Sequence, residues 1–575
     1  MSPSPSTTYR GPPRAAVPRQ ACCSSRETRR RCRTLRRQPA VVKHIVLVSG
    51  PIGSGKTTLC RSLEERFGAV SVKTKDLIRE LAKKIKPERG AMQRYGEILD
   101  RRTKGQWVRD ALARRLTQWP DDAIVLIDAV RIEPQVEAIR QAFGPRVYHI
   151  HLHASDAVLA RRYRERKPEI RELASYAQAQ ENKTERAVAR LADIADVVIN
   201  TERCTEDDVL VRAASHLGLY GREYLRLVDV LVGGQYGSEG KGHIVSYLAR
   251  EYDLLMRVGG PNAGHKVYEE PEPYTFHHLP SGSRSCNAQL VIGPGAVLYV
   301  PTLLQEIGEC GIDASRLAID PQAMIISDDD REKEKPLVQD IGSTGQGVGA
   351  ATARRIMQRL TDPARLARDD ADLKPFIKDT RELLERAFCN RQRILLEGTQ
   401  GTGLSLYHGH YPHVTSRDTT VAGCLAEAGI SPSRVRKVVM VCRAFPIRVQ
   451  SPDGDGKTSG FMSQEITLEE IAQRSGLEAG ELRKIEVTST TKRKRRIAEF
   501  DWALLRKAAS LNAPTDIALT FADYLAAENR SARRFEQLTP ETIRFIQEME
   551  RVAAAPVSLI STRFHSRSII DRRAW

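Results

Sequence analysis

Two glycine-rich stretches carry the residue types that hold phosphate. In Gly233-Gly234-Gln235-Tyr236-Gly237-Ser238-Glu239-Gly240-Lys241-Gly242, five glycines surround one lysine, between the apolar run Leu227–Val232 and the helix-like start His243–Leu248. Glycine lets backbone approach an anion, N–H groups at a helix start point at it, and lysine adds charge. The spacing is not the Walker pattern, so residue types alone leave a structural turn open as an alternative. The second stretch, Gly50-Pro51-Ile52-Gly53-Ser54-Gly55-Lys56-Thr57, does satisfy G-x-x-x-x-G-K-[ST]. Backbone around Gly50, Gly53 and Gly55 is expected to wrap the phosphates, Lys56 to reach the outer ones, and the Thr57 hydroxyl to hold Mg2+. Asp128, closing the apolar run Ile124–Asp128, is the carboxylate expected to organise that metal and its waters. Arg131 could reach a phosphate, and Arg161, Arg162, Arg164 and Arg166 could close as a basic lid or simply form a solvated helix face. His149, His151 and His153 alternate on one strand face with no carboxylate or cysteine cluster beside them, which reads as strand rather than metal site.

Both loops must sit between a buried strand and a helix. Lys43–Ser49, Ile124–Asp128 and Val147–Leu152 read as strands of a first domain, with a helix over Thr58–Phe67. Further on, Leu227–Val232, Leu290–Ile292, Leu317–Ile319, Ile394–Leu396, Val438–Cys442 and Ile517–Phe521 alternate with helical stretches. That alternation predicts an α/β fold: two doubly wound, mostly parallel sheets in tandem, each of P-loop type, binding ligands at the carboxyl ends of strands. The expected division is residues 1–40 as a disordered tail, 41–217 as a first domain and 220–575 as a second.

The tail is a different kind of sequence. It holds ten Arg and one Glu, half of the net charge of +18 in a 575-residue chain. Too little apolar surface is present there to offset ordering entropy. A transit peptide, a surface-binding tail and an upstream start codon read in error are all compatible with it. With the tail removed, the remaining charge suits an enzyme of anionic nucleotides, and no nucleic-acid partner is expected. No apolar run approaches the roughly 20 residues that span a bilayer, so no membrane association is expected. Ten scattered cysteines without a C-x-x-C pair predict a reducing, cytoplasmic setting.

Downstream of the second loop stand Gly259-Gly260-Pro261-Asn262-Ala263-Gly264-His265, Phe276-His277-His278-Leu279-Pro280-Ser281-Gly282, Ile341-Gly342-Ser343-Thr344-Gly345-Gln346-Gly347 and Leu396-Glu397-Gly398-Thr399-Gln400-Gly401-Thr402. In this order they resemble adenylosuccinate synthetase over residues 226–575. The resemblance implies a ligase that phosphorylates the 6-oxygen of a purine monophosphate, whose phosphate is then displaced by the amine of L-aspartate. It implies that Gly237, Glu239, Gly240 and Gly242 form the nucleotide loop with Lys241 on the phosphates, and that His265 assists phosphoryl transfer. Asn262, Thr344, Gln400 and Thr415 then hold the purine monophosphate, and the Gly264 carbonyl is a Mg2+ ligand. Thr490, Thr491, Arg493 and Arg495 grip the dicarboxylate, and Asp523 reads the base of the phosphoryl donor. A homodimer with an arginine crossing between sites is implied too, with Arg354, Arg355 and Arg359 as candidates. Residues 41–217 resemble the small P-loop nucleoside and nucleotide kinases, where Thr74, Lys75, Asp76 and Arg79 fall at acceptor-binding positions.

The chain departs from that family at several places. Lys492 stands where glycine is usual, Phe521 where lysine is usual, and Arg563-Phe564 where Gly-Pro is usual. GTP and ATP both therefore remain possible donors. Ser238 replaces the aspartate thought to take the purine N1 proton and to ligand magnesium. A phage-associated branch that makes 2-aminoadenylosuccinate from dGMP has also lost that aspartate. IMP is the default acceptor, with (d)GMP the alternative. A nucleotide-sensing protein with an inactive synthetase half is the competing reading of another class.

Overall fold

The computed structural model describes residues 44–82, 89–116, 118–120, 123–165, 176–180, 183–220, 225–449, 459–487, 494–565 and 567–574. The expected tail, Arg166 and three of the aspartate-binding candidates, Thr490, Thr491 and Arg493, lie outside these residues. Two compact units divide at Leu219/Tyr220. Among the described residues no helix is long and apolar enough to cross a membrane.

The first unit is a five-stranded parallel sheet in the order Val70–Lys73, Ile124–Asp128, His44–Ser49, Val147–His153, Val197–Asn200. Its central strands are β-branched and buried on both faces, as a parallel sheet covered by helices requires. The parallel register sets Val48 beside Asp128 and Lys73 beside Asp128, so the carboxylate emerges where the Gly50 loop begins. The helix Lys56–Phe67 follows from Gly55, whose φ of 94° is left-handed and suits glycine. His149 and His151 are buried strand residues, both within hydrogen-bonding distance of Ser49 Oγ, at 2.7 and 2.9 Å. No group of three His, Cys, Asp or Glu among the described residues could hold a metal.

The second unit is built on a nine-stranded sheet in the order Leu317–Ile319, Gln289–Ile292, Leu254–Arg257, Ile394–Glu397, Val228–Gly233, Val435–Arg443, Asp516–Thr520, Val557–Ser561, Ile569–Asp571. All neighbours are parallel except the last pair. Val228, Val230 and Val232 pack into one core while Leu231 packs into the other. Each such side chain contributes about 1.5–3 kcal/mol on full burial. The loop after this central strand is thereby fixed from both sides. Leu254–Arg257 and Val557–Ser561 are strands that the sequence reading did not expect.

Candidate functional site

In the second unit, the strand Val228–Gly233 runs into the glycine loop, and the helix Lys241–Leu248 starts after Gly240 (φ 81°). Glu239 is fully buried under this loop. Its Oε1 accepts from the backbone N–H of Gln235 (3.0 Å) and of Gly237 (2.8 Å), and its Oε2 from Lys241 Nζ (2.7 Å). Lys241 Nζ also donates to the Gly237 carbonyl at 3.0 Å. Thr520 Oγ1 donates to the Glu239 carbonyl at 2.6 Å, tying the loop to the next strand but one. Ser238 is half-buried, and its carbonyl accepts from Arg443 at 3.4 Å.

His265 abuts the start of this helix. A Cβ at Gly242 would lie 2.9 Å from that of His265, so glycine is what allows the approach. The imidazole is buried, with Nδ1 2.5 Å from Glu397 Oε1, while Nε2 has no partner. Glu397 also accepts from the Ser281 hydroxyl and from the Ser281 N–H at 2.8 Å, with the Arg257 guanidinium 3.9 Å away. Burial, seconded by Arg257, lowers the pKa of His265 to about 3 against the pull of Glu397. Burial works to raise Glu397, but Arg257, His265 and Ser281 outweigh it and hold the carboxyl at about 2. The pair is therefore a neutral imidazole on an ionised carboxylate. Its Nδ1–H is donated to Glu397, which leaves the Nε2 lone pair unused.

Three of the four expected purine-monophosphate residues come together. Gln400 Nε2 donates to Asn262 Oδ1 at 2.8 Å, and Asn262 Nδ2 to Thr415 Oγ1 at 3.5 Å. Arg417 braces Gln400 Oε1 at 3.3 Å and pairs with Glu427 at 2.6 Å. Gly237 belongs to the same cluster, since a Cβ there would lie 3.0 Å from Gln400 Cα. Thr344 sits on a separate loop, before the helix Val348–Met357, where Gly342 comes close to Ser459.

Arg495, the aspartate-binding candidate within the described residues, donates to Glu486 Oε2 at 2.9 Å. Arg443 (2.7 Å) and Tyr524 (2.8 Å) hold the other oxygen of Glu486. Burial pushes this carboxyl up, but the two guanidinium groups prevail and bring it to about 2. Asp523 is buried just beyond Phe521. Arg530 donates to its Oδ2 at 3.1 Å while Oδ1 has no partner, and burial raises its pKa. Phe521 replaces lysine with a ring that lies 4.0 Å from the Arg443 guanidinium carbon. Glu397, Arg257, Ser281 and Glu486 were missed as site residues. Glu397 and Ser281 carried a signal in their places in Glu-Gly-Thr-Gln-Gly and His-His-Leu-Pro-Ser-Gly, while Arg257 and Glu486 carried none.

In the first unit the Gly50 loop borders a cavity of about 830 Å³. Lys56 Nζ donates to the carbonyls of Gly50 (2.8 Å) and Pro51 (2.7 Å). Thr57, Asp128, Thr74, Lys75 and Arg131 all line the cavity. Of the described arginines of the run, Arg161, Arg162 and Arg164, only Arg162 does, donating to Thr201 Oγ1 at 2.9 Å and to the Gly53 carbonyl at 3.4 Å. Asp76 and Arg79 pair with each other at 3.1 Å and do not line it. Arg131 is ion-paired with Glu185.

The adenylosuccinate synthetase family profile matches residues 230–371 and 359–530, and an AAA domain profile matches residues 46–188. The adenylosuccinate synthetase of Methanococcus aeolicus is 37% identical over 353 residues, 60% of this chain and 99% of that protein. That of Thermococcus onnurineus is 36% identical over 60% of this chain and 98% of that protein. The fold matches fully ligated adenylosuccinate synthetase of Plasmodium falciparum, with TM-score 0.52 and 21% identity over 60% of this chain and all of that one. It also matches the succinoaminodeoxyadenylate synthetase of cyanophage S-2L bound to dGMP and dATP, with TM-score 0.51 and 28% identity over 61% of this chain and 96% of that one. With Glu239, Lys241, His265 and Glu397 assembled around the phosphate loop, the chain belongs to the adenylosuccinate synthetase family, a ligase preceded by a kinase-like P-loop phosphotransferase domain.

Proposed function

We propose that the second unit joins L-aspartate to the 6-position of a purine nucleoside monophosphate, with IMP as the default acceptor and GTP or ATP as phosphoryl donor. The observation that carries this is the buried His265, oriented by Glu397 and left with an unpartnered Nε2 beside the phosphate loop. The γ-phosphoryl group passes to the purine 6-oxygen, the aspartate amine attacks C6, and phosphate leaves. When anionic phosphates enter, His265 takes a proton from solvent at Nε2, and the imidazolium, balanced by Glu397, stabilises the negative charge that builds on the 6-oxygen. Asn262, Gln400 and Thr415 orient the acceptor, with Thr344 closing from its own loop. Thr490, Thr491, Arg493 and Arg495 hold the aspartate carboxylates, a task suited to hydroxyls and guanidinium forks. Gly237, Gly240, Gly242 and Lys241 cradle the triphosphate, and Asp523 meets its base.

Magnesium fits both units, by different donor sets. Thr57 hydroxyl and Asp128 would hold it in the first. In the second, Glu239 is committed to the loop and to Lys241, so the Gly264 carbonyl and the Ser238 hydroxyl would assist the triphosphate oxygens. There the metal supplies charge neutralisation during transfer.

Ser238 favours a second reading, (d)GMP as acceptor, because the cyanophage relative of 28% identity is described with dGMP bound. A guanine 2-amino group beside N1 has room next to serine and can donate to it. The first unit, through Lys56, Thr57 and Asp128, transfers phosphoryl to a purine nucleoside or its monophosphate. A homodimer is part of the proposal. Arg354 is buried on Asp330 at 2.6 Å, while Arg355 and Arg359 stand beside exposed Met357 and Leu360. The setting is the cytoplasm.

The test supplies purified protein with aspartate, Mg2+, ATP or GTP, and IMP, GMP or dGMP, and identifies products by mass. A succinyl-purine monophosphate is expected. Nucleotide binding without any ligated product from all three acceptors would replace the ligase with a sensor.

A further inference from the structure

We infer that Arg417 is a positioning residue that makes the second unit's acceptor site select a 6-oxopurine over a 6-aminopurine. It does so by fixing which end of the Gln400 amide faces the base, and this rests on the ligase reading above. Gln400 is buried, and its φ of 56° is left-handed, a conformation uncommon outside glycine. Its backbone packs on the phosphate loop, where a Cβ at Gly237 would lie 3.0 Å from Gln400 Cα. The purine 6-oxygen has to come to this loop to receive the γ-phosphoryl group, and there it meets the Gln400 side chain.

Asn262, Thr399 and Thr415 can each satisfy an amide chain running in either direction. Arg417 cannot, because a guanidinium only donates and keeps its charge. Its Nη1 donates to Thr399 Oγ1 (2.9 Å) and to Gln400 Oε1 (3.3 Å). Having accepted from Arg417, the Thr399 hydroxyl donates in turn to Gln400 Oε1 at 3.0 Å. Gln400 Nε2 therefore points the other way, to Asn262 Oδ1 at 2.8 Å, and Asn262 Nδ2 faces Thr415 Oγ1 at 3.5 Å. Among the described residues Asn262 alone receives from Gln400 Nε2, which leaves the second N–H for the acceptor. That N–H suits the lone pairs of a 6-oxygen and opposes the N–H of a 6-amino group.

Arg417 is itself held from two loops. It is buried, and its Nε donates to Glu427 Oε1 at 2.6 Å, while Glu427 Oε2 accepts from the Gly259 N–H at 3.0 Å. Gly259 opens the Gly-Gly-Pro-Asn turn that carries Asn262, and a Cβ there would lie 2.2 Å from Thr399 Oγ1. One ion pair thus clamps the turn of Asn262 onto the loop of Gln400. Without Arg417 the chain can reverse: Thr415 donates to Asn262 Oδ1, Asn262 Nδ2 to Gln400 Oε1, and a lone pair of Gln400 faces the base.

Ligated product is measured at initial rate with full-length protein, saturating donor and aspartate, IMP or GMP as acceptor, and AMP as inhibitor. The readout is the inhibition constant of AMP, competitive with the acceptor, divided by the acceptor KM. In the unmodified protein this ratio should be about 30 or more. Arg417→Met combined with Glu427→Gln, which leaves no lone carboxylate buried, should lower it about tenfold. Arg417→Gln, whose amide can also accept, is the milder variant and should lower it by a smaller factor. Arg417→Lys keeps a pure donor beside Glu427 and should hold the ratio within about threefold. A merely structural arginine would change kcat and acceptor KM but not this ratio. A ratio near one in the unmodified protein, or one unmoved in the folded variants, overturns the role of Arg417 and leaves the ligase reading standing. An equal fall in Arg417→Lys does the same. No ligated product from either acceptor overturns the ligase reading, and this inference with it.

Discussion

The two phosphate loops share one junction and differ in what stabilises it. Each helix begins on a lysine directly after a left-handed glycine, Lys56 after Gly55 and Lys241 after Gly240. Lys56 caps its own loop by donating to the Gly50 and Pro51 carbonyls, with no carboxylate hydrogen-bonded to that loop's backbone among the described residues. Lys241 is instead paired with Glu239, which also occupies the N–H groups of Gln235 and Gly237. The second loop thus carries an internal anion that holds its shape, while the first offers its N–H groups to a ligand. Their surroundings differ in step. The first borders a roomy cavity with Lys73, Lys75 and Arg131 in its lining, where positioning and charge suffice. The second has an imidazole on a carboxylate, His265 on Glu397, which suits the proposed reaction on a purine 6-oxygen.

This contrast is broken most directly at Lys56. Lys56→Ala should cut phosphoryl transfer by the first unit by on the order of 10³, because nothing else in that loop replaces its charge. Ligation should stay within about twofold if the two loops work independently. Product-resolved assays of both reactions on the one variant decide it, and a parallel loss of ligation would show the loops to be coupled. Next is His265→Ala, expected to cost on the order of 10²–10³ in ligase kcat with little change in acceptor Kd. Phosphotransfer by the first unit is the internal control. Near-normal ligation would remove the imidazole from the mechanism and make the two sites alike.

How far the sequence anticipated this contrast depended on where the signal lay. Loops whose glycines recur at fixed spacing were legible, and so were the β-branched strands that feed them. Leu254–Arg257 was not, because Leu-Leu-Met-Arg has helix-forming residues and only four positions. Nor was Val557–Ser561, whose serines interrupt the apolar run. The partners of His265 were hidden for another reason. Glu397 ends the strand Ile394–Glu397 of the nine-stranded sheet, whereas His265, 132 residues away in sequence, opens the short strand His265–Val267 of a separate two-stranded sheet, and only tertiary packing brings them together. Arg495 was legible as a cation near a threonine run, but not its hold on Glu486, which joins it to Arg443.

Buried histidines extend the comparison to pH. His243, His265 and His278 in the second unit are lowered to about 4, 3 and 3, chiefly by burial. His149 and His151 in the first are both lowered to about 4, again by burial. The unfolded chain protonates histidine near pH 6.5, while the folded chain does not until far lower, so stability falls as pH drops from about 6.5. Glu397 and Glu486, held at about 2, keep their contribution above the ordinary carboxylate range and lose it progressively as pH falls from about 4.5 through about 2. Melting both units between pH 7.5 and 5.0 should show both midpoints falling on acidification, the second more. Midpoints that stay level or rise would mean that these imidazoles are already charged in the fold.

The finest difference between the loops is Ser238, a hydroxyl where the typical loop of the family carries an aspartate. It is half-buried, next to Glu239, whose carboxylate is turned to the loop N–H groups of Gln235 and Gly237 and to Lys241. Serine is a poor base at neutral pH and a weak replacement for an anionic ligand, yet it leaves room beside purine N1 and can accept from a 2-amino group. The expected outcome is that (d)GMP matches or exceeds IMP in kcat/KM. Ser238→Asp should then move the ratio toward IMP by about tenfold, the scale set by crowding a 2-amino group against a carboxylate while restoring a base for N1–H. Both acceptors must be measured on both proteins, since a drop in total activity would not distinguish lost metal binding from changed base selection. A strong IMP preference in the unmodified protein, unmoved by the substitution, would show that residue 238 does not read the base and would end the guanine reading.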